Sequence, residues 1–120
     1  MANTKQKKVA RLLQKELGDI LQKKSRSHFE GKMITVTVVR ISPDLLIAKV
    51  YLSIYPSKDN DKTLKLVRQY GSEIRYELGN RIRHQVRKIP ELNFFIDDSL
   101  DYIDNIERLL NKDKNDKKSD

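Results

Sequence analysis

Arg81, Arg83, His84, Arg87 and Lys88 fall within the stretch RIRHQVRK, and Lys7, Lys8, Arg11 and Lys15 form a second basic group near the start of the chain. Guanidinium and ammonium groups at this density suit the binding of a phosphate backbone, where each contact releases condensed counterions. Simpler accounts cover part of the pattern. Glu77 and Arg81 have the i,i+4 spacing of a helical ion pair, and Arg87 and Lys88 suit the negative end of a helix stopping at Pro90. Such effects contribute only ~0.3–1 kcal/mol each. They leave Arg83, His84 and the first basic group without a structural reason.

Other chemistries find less support. His28 and His84 lack a second nearby ligand, and the absence of cysteine excludes a thiol nucleophile, a disulfide framework and a Cys-based zinc site. Asp97, Asp98, Asp101, Asp104 and Glu107 resemble a carboxylate metal cluster, but the first three suit the electropositive start of a helix better. Tyr51 and Tyr55 share one strand face and are candidates for base stacking or for ordinary half-covered packing.

Charge is segregated along the 120 residues. Residues 1–40 carry ten cations against three anions, residues 41–90 ten against five, and residues 91–120 five against nine. The overall +8 at pH 7 therefore belongs to the first three quarters of the chain and favours an acidic partner. A metal-dependent RNA-processing enzyme, the alternative of a different class, would have its acids where a phosphate backbone is repelled. A composition of 38% hydrophobic and 35% charged residues suits one well-solvated globular domain. The longest apolar runs are far short of the ~18–20 residues of a spanning helix, and the basic, amphipathic start lacks a signal-peptide core. A soluble cytoplasmic protein is expected.

These residues need elements to hold them. Val9, Leu12, Leu13, Leu17, Ile20 and Leu21 recur at helical spacing and predict a helix over about residues 5–24, with Lys7, Lys8, Arg11 and Lys15 opposite. Residues 25–32 read as a loop. Ile34, Val36 and Val38 alternate as a strand, and Val39 and Ile41 break the phase, which calls for a bulge or for apolar cover on both faces. Ser42-Pro43-Asp44 supplies turn chemistry before a second, antiparallel strand built on Ala48, Val50, Leu52 and Ile54. Leu64, Val67 and Tyr70 begin a helical stripe. Ile74, Leu78, Ile82, Val86 and Ile89 continue it after Gly71-Ser72, predicting two helices or one broken helix, with Pro90 ending the second part. Leu92, Phe94 and Ile96 form a third strand. Ser99 can cap a short last helix with Leu100, Ile103, Ile106 and Leu110 inward. Residues 1–111 are expected to form the domain and residues 112–120, without an apolar side chain, a disordered charged tail. The fold class is α+β, with a three-stranded sheet covered by helices on one face.

Three segments resemble the ribosome-binding factor A family. ISPDLLIAKVYLSIY (Ile41–Tyr55) looks like its Ser-Pro-Asp-Leu turn and Ala-Lys-Val-Tyr strand. IRYELGNRIRHQVRKIPELNFFIDDSL (Ile74–Leu100) is similar to its Leu-Gly helix, Pro-Glu-Leu turn and Asp-x-Ser helix start, and VARLLQKELGDIL (Val9–Leu21) to its opening helix. The resemblance implies a type II KH-like domain of order α-β-β-α-α-β. KH modules clamp a nucleic-acid backbone with a Gly-x-x-Gly loop between two helices. This chain has only Gly71 there, where the family carries a small residue-x-Gly kink, and the usual alanine is missing. Gly71 is thus expected to keep that kink, and if a side chain would obstruct it there, Gly71→Val should destabilise the fold or weaken ribosome binding. The family also implies a non-enzymatic monomer without cofactors. It would bind the free small (30S) ribosomal subunit and assist late maturation and 5′-end processing of 16S rRNA, a step associated with small-subunit GTPases. A general RNA-binding KH module without ribosome specificity is the nearer alternative. The expected RNA-binding residues are Lys7, Lys8, Arg11, Lys15, Gly71, Arg81, Arg83, His84, Arg87 and Lys88.

Overall fold

Asn3 starts the first helix through a capping box: its Oδ1 accepts the Gln6 backbone N–H at 2.7 Å, and Gln6 Oε1 accepts the Asn3 N–H at 2.9 Å. The buried Gln6 amide then donates to Ile41 O at 2.9 Å, fixing the helix start against the end of the first strand. In the computed structural model, which describes residues 3–97, the elements are α1 (Thr4–His28), β1 (Met33–Ile41), β2 (Ile47–Tyr55), α2 (Asn60–Gln69), α3 (Gly71–Ile82) and β3 (Glu91–Ile96). The order is the expected α-β-β-α-α-β. The short last helix and the charged tail lie outside the described residues, as do Asp98, Asp101, Asp104 and Glu107.

β2 is the central strand, antiparallel to β1 and parallel to β3. The bulge appears as a register shift between Val36 and Val38, and it returns Val39 and Ile41 to the buried face. Ala48, Val50, Leu52 and Ile54 of β2 and Phe94 of β3 complete the inner sheet face. Against it pack Leu13, Leu17, Ile20 and Leu21 of α1, Leu64 and Val67 of α2, and Ile74, Leu78 and Ile82 of α3. Lys49 and Tyr51 lie on the other side of the sheet, where Tyr51 stacks on Phe95 at 5.5 Å between centroids.

Two helix boundaries differ from expectation. α1 runs one turn further, to His28, and this end of the helix faces α3. Lys24 Nζ lies 3.3 Å from Glu77, and His28 Nε2 lies 3.4 Å from Glu73. Buried Phe29 follows, and Glu30 and Gly31 reverse the chain at positive φ. α3 is shorter than its apolar stripe and stops at Ile82, with residues 83–85 forming a turn. Pro90 disfavours helical backbone at Ile89, and the Arg75 guanidinium draws this segment back by donating to Ile89 O at 2.6 Å and Pro90 O at 2.9 Å. The chain must also enter β3 beside β2, where Glu91 N–H donates to Leu46 O at 2.8 Å. Val86 and Ile89 still pack on the core, so their spacing reports burial and not helical hydrogen bonding.

Candidate nucleic-acid interface

The α3 boundary relocates the densest basic stretch. Arg83, His84, Arg87 and Lys88 lie not on a helix face but on the exposed turn and irregular segment between α3 and β3. Arg83 caps the C-terminal end of α3, so Arg81 and Arg83, not Arg87 and Lys88, adjoin the negative end of the dipole.

α1 and α3 run antiparallel along a seam of ion pairs. Lys24 meets Glu73 and Glu77, whereas Arg81 Nη1 reaches Asp19 at 2.6 Å and Glu16 at 3.3 Å. The expected i,i+4 pair is present too, with Arg81 Nη2 3.5 Å from Glu77. Arg81 holds the Asp19 carboxyl below its ordinary pKa, helped by Lys23, and Asp19 in turn raises that of Arg81. Arg81 is therefore committed within the molecule.

Further along the seam the cations have no such partners. None of Lys5, Lys8, Arg83, Arg87 and Lys88 forms an ion pair or side-chain hydrogen bond with another described residue. The antiparallel packing brings Lys5 and Lys8 of α1 to the segment bearing Arg87 and Lys88, where all four rim one groove of about 410 Å³. A second groove, about 600 Å³, runs along α3 and has Arg75, Arg83, Arg87 and Lys88 on its walls. Arg87 and Lys88 belong to both, so the two grooves form one continuous basic surface.

Lys7, Arg11 and Lys15 are exposed on α1, outside both grooves, and neither groove includes His84. Gly71 lines a different depression with Arg68 and Phe95, and Arg68 donates to Phe94 O at 2.7 Å. The kink itself is present, since Tyr70 alone separates α2 from α3. Its glycine is not demanded by the backbone, because Gly71 is not among the positive-φ residues. A Cβ there would meet Phe94 Cε2 at 4.0 Å, an ordinary contact, so a methyl group does not obstruct the kink.

The sequence reading missed Lys5, Arg75, Tyr76 and Asn80. Ser72, Arg75, Tyr76, Gly79, Asn80 and Arg83 recur at i+3 and i+4 and make the solvent face of α3, and Tyr76 is 72% exposed on it. That second periodicity was a usable signal. It was masked by the stronger apolar stripe on the same helix. A Cβ on Gly79 would lie 3.5 Å from Ile89 at the groove's end, an ordinary contact.

Antiparallel and parallel pairing on one three-stranded sheet, with two helices joined by a one-residue kink, is the α+β architecture that the resemblance implied as a type II KH-like domain. The match to known proteins is more specific. A family model described as Ribosome-binding factor A matches residues 5–110, and the chain belongs to that family. Ribosome-binding factor A of Christiangramia forsetii is 49% identical over 107 residues, covering 88% of this chain and 82% of the relative. That of Cytophaga hutchinsonii is 47% identical over 112 residues, covering 93% and 84%. The crystal structure of ribosome-binding factor A from Thermus thermophilus superposes with a TM-score of 0.65 at 20% identity, over 76% of this chain and 94% of that one. A homology model of the Thermus thermophilus factor, fitted into a cryo-EM map of its complex with the 30S subunit, gives 0.59 at 22% identity, over 72% and 89%.

Proposed function

We propose that the protein is a non-catalytic assembly factor that binds the free small (30S) ribosomal subunit through its 16S rRNA. It assists late maturation of that RNA, including 5′-end processing, and acts as a cytoplasmic monomer at a step shared with small-subunit GTPases. The carrying observation is that cations of α1 and of the 83–88 segment, without an ion-pair partner among the described residues, meet around two adjoining grooves. Such a surface suits phosphates, and the relatives' shared name supplies the ribosome.

Sedimentation of a lysate through a sucrose gradient tests the reading. The tagged protein is expected to travel with free small subunits and not with complete ribosomes. In cells depleted of it, unprocessed 16S 5′ ends should accumulate on primer extension. An even spread over all RNA-containing fractions would indicate a general RNA-binding module, and a wholly ribosome-free distribution would overturn the assignment.

A further inference from the structure

We infer that the groove between the start of α1, the β1–β2 turn and residues 85–90 accepts an unpaired nucleotide, so that this end of the molecule recognises single-stranded RNA and not duplex. The inference deepens the proposed function and rests on it. The rim is cationic, but the lining between its cations is aliphatic, with Val9, Leu45, Leu46, Val86 and Pro90 contributing. A duplex offers phosphates and 2′-hydroxyls at its surface and keeps its base faces stacked away, so it would use the rim and waste the lining. A nucleotide turned out of a strand uses both, its base against apolar side chains and its flanking phosphates against Lys5, Lys8, Arg87 and Lys88. The volume of about 410 Å³ lies in the range of small-ligand clefts, roughly 300–1,000 Å³.

The turn that supplies the lining is firmly built. Leu45 sits at φ 63°, a region β-carbon-bearing residues seldom enter, and its N–H donates to Ser42 O at 2.8 Å. Ser42 Oγ donates to Asp44 Oδ1 at 2.6 Å and accepts the Ile47 N–H at 3.0 Å, and the Leu46 N–H also donates to Asp44 Oδ1. This arrangement leaves the Leu46 side chain 42% exposed at the groove. Ser42 and Leu46 hold the Asp44 carboxyl below its ordinary pKa, so it is ionised and can accept from a base amino group. Gln85, also on the groove, adds an amide that both donates and accepts.

Fluorescence anisotropy of the full chain tests this, using a labelled RNA strand of about ten nucleotides, a length one small domain spans, alone and annealed to its complement. The single strand is expected to bind more tightly than the duplex. Leu46→Ala should weaken single-strand binding by several-fold, up to roughly tenfold, and leave duplex binding unchanged, whereas Leu46→Met should retain the preference. Leu46 is partly exposed, and melting curves on the same samples are the check that both variants fold. Equal affinity for the two RNAs, or equal loss of both in Leu46→Ala, overturns the inference. So does a loss of small-subunit binding in Leu46→Ala without any change in RNA binding, which would point to an apolar protein segment as occupant. Arg87→Glu with Lys88→Glu separates the two levels. If it leaves small-subunit binding intact, the RNA reading of this surface fails. If it weakens binding while Leu46→Ala leaves the strand preference intact, only the nucleotide groove fails.

Discussion

Arg81 and Arg83 are two residues apart and carry the same charge, but their surroundings give them different work. Arg81 is three-quarters covered and answers three carboxylates, while Arg83 faces a groove with no acidic side chain among the described residues that line it. Arg81→Ala should therefore lower the melting temperature by a few degrees and leave RNA affinity nearly unchanged. Arg83→Ala should do the reverse, and a matched pair of melting and anisotropy measurements separates them. Gly71 calls for a similar distinction. Its φ is not positive and a methyl group fits beside Phe94, so Gly71→Ala should melt at or slightly above the wild type, by ~0.4–1 kcal/mol at most, through reduced unfolded-state entropy. A clear drop in melting temperature would mean that the α2–α3 kink needs glycine after all.

At the scale of elements, the α1–α3 seam makes stability depend on acid. The folded-state pKa of Asp19 is depressed, first by Arg81 and then by Lys23, so its contribution is present above the unfolded value of about 3.9 and is lost as pH falls through the folded value. Thermal melts between about pH 5 and pH 2 should show the wild type losing stability faster than Arg81→Ala, with the two curves converging at the acid end. Parallel curves would show that the seam contributes nothing. The same elements show what was legible in the sequence. The bulge was, as one of two readings beside apolar cover on both faces, because Val39 and Ile41 break an alternation that burial otherwise enforces. The ends of α1 and α3 were not. The extra turn of α1 meets Glu73 across the seam through His28, and the stop at Ile82 goes with Arg75 reaching the carbonyls of Ile89 and Pro90. These are long-range partners that no local pattern announces. The basic residues of the candidate site could be picked from the sequence by charge alone. Which of them meet could not, since Lys8 and Arg87 become neighbours only through antiparallel helix packing.

At the scale of the whole molecule, the positive charge lies in the residues that build the KH-like fold, and the balance turns negative only from residue 91 onward. If the grooves hold phosphates, affinity for small subunits should fall steeply with salt, because each neutralised phosphate releases condensed counterions. Arg83→Glu with Arg87→Glu should weaken binding and flatten the plot of log affinity against log salt, by roughly one unit of slope per contact on the duplex-DNA scale and somewhat less for single strands. Both side chains are exposed and outside the core, so circular dichroism should show an unchanged fold. A second variant reverses Lys7, Arg11 and Lys15, which lie on α1 away from both grooves. If the basic surface extends along α1, this triple variant flattens the slope as well. If it stops at the grooves, only the first variant does. An unchanged slope in the groove variant, alongside loss of binding in the α1 variant, would move the RNA-binding surface onto α1 alone. The 83–88 segment would then be a solvated connection between α3 and β3.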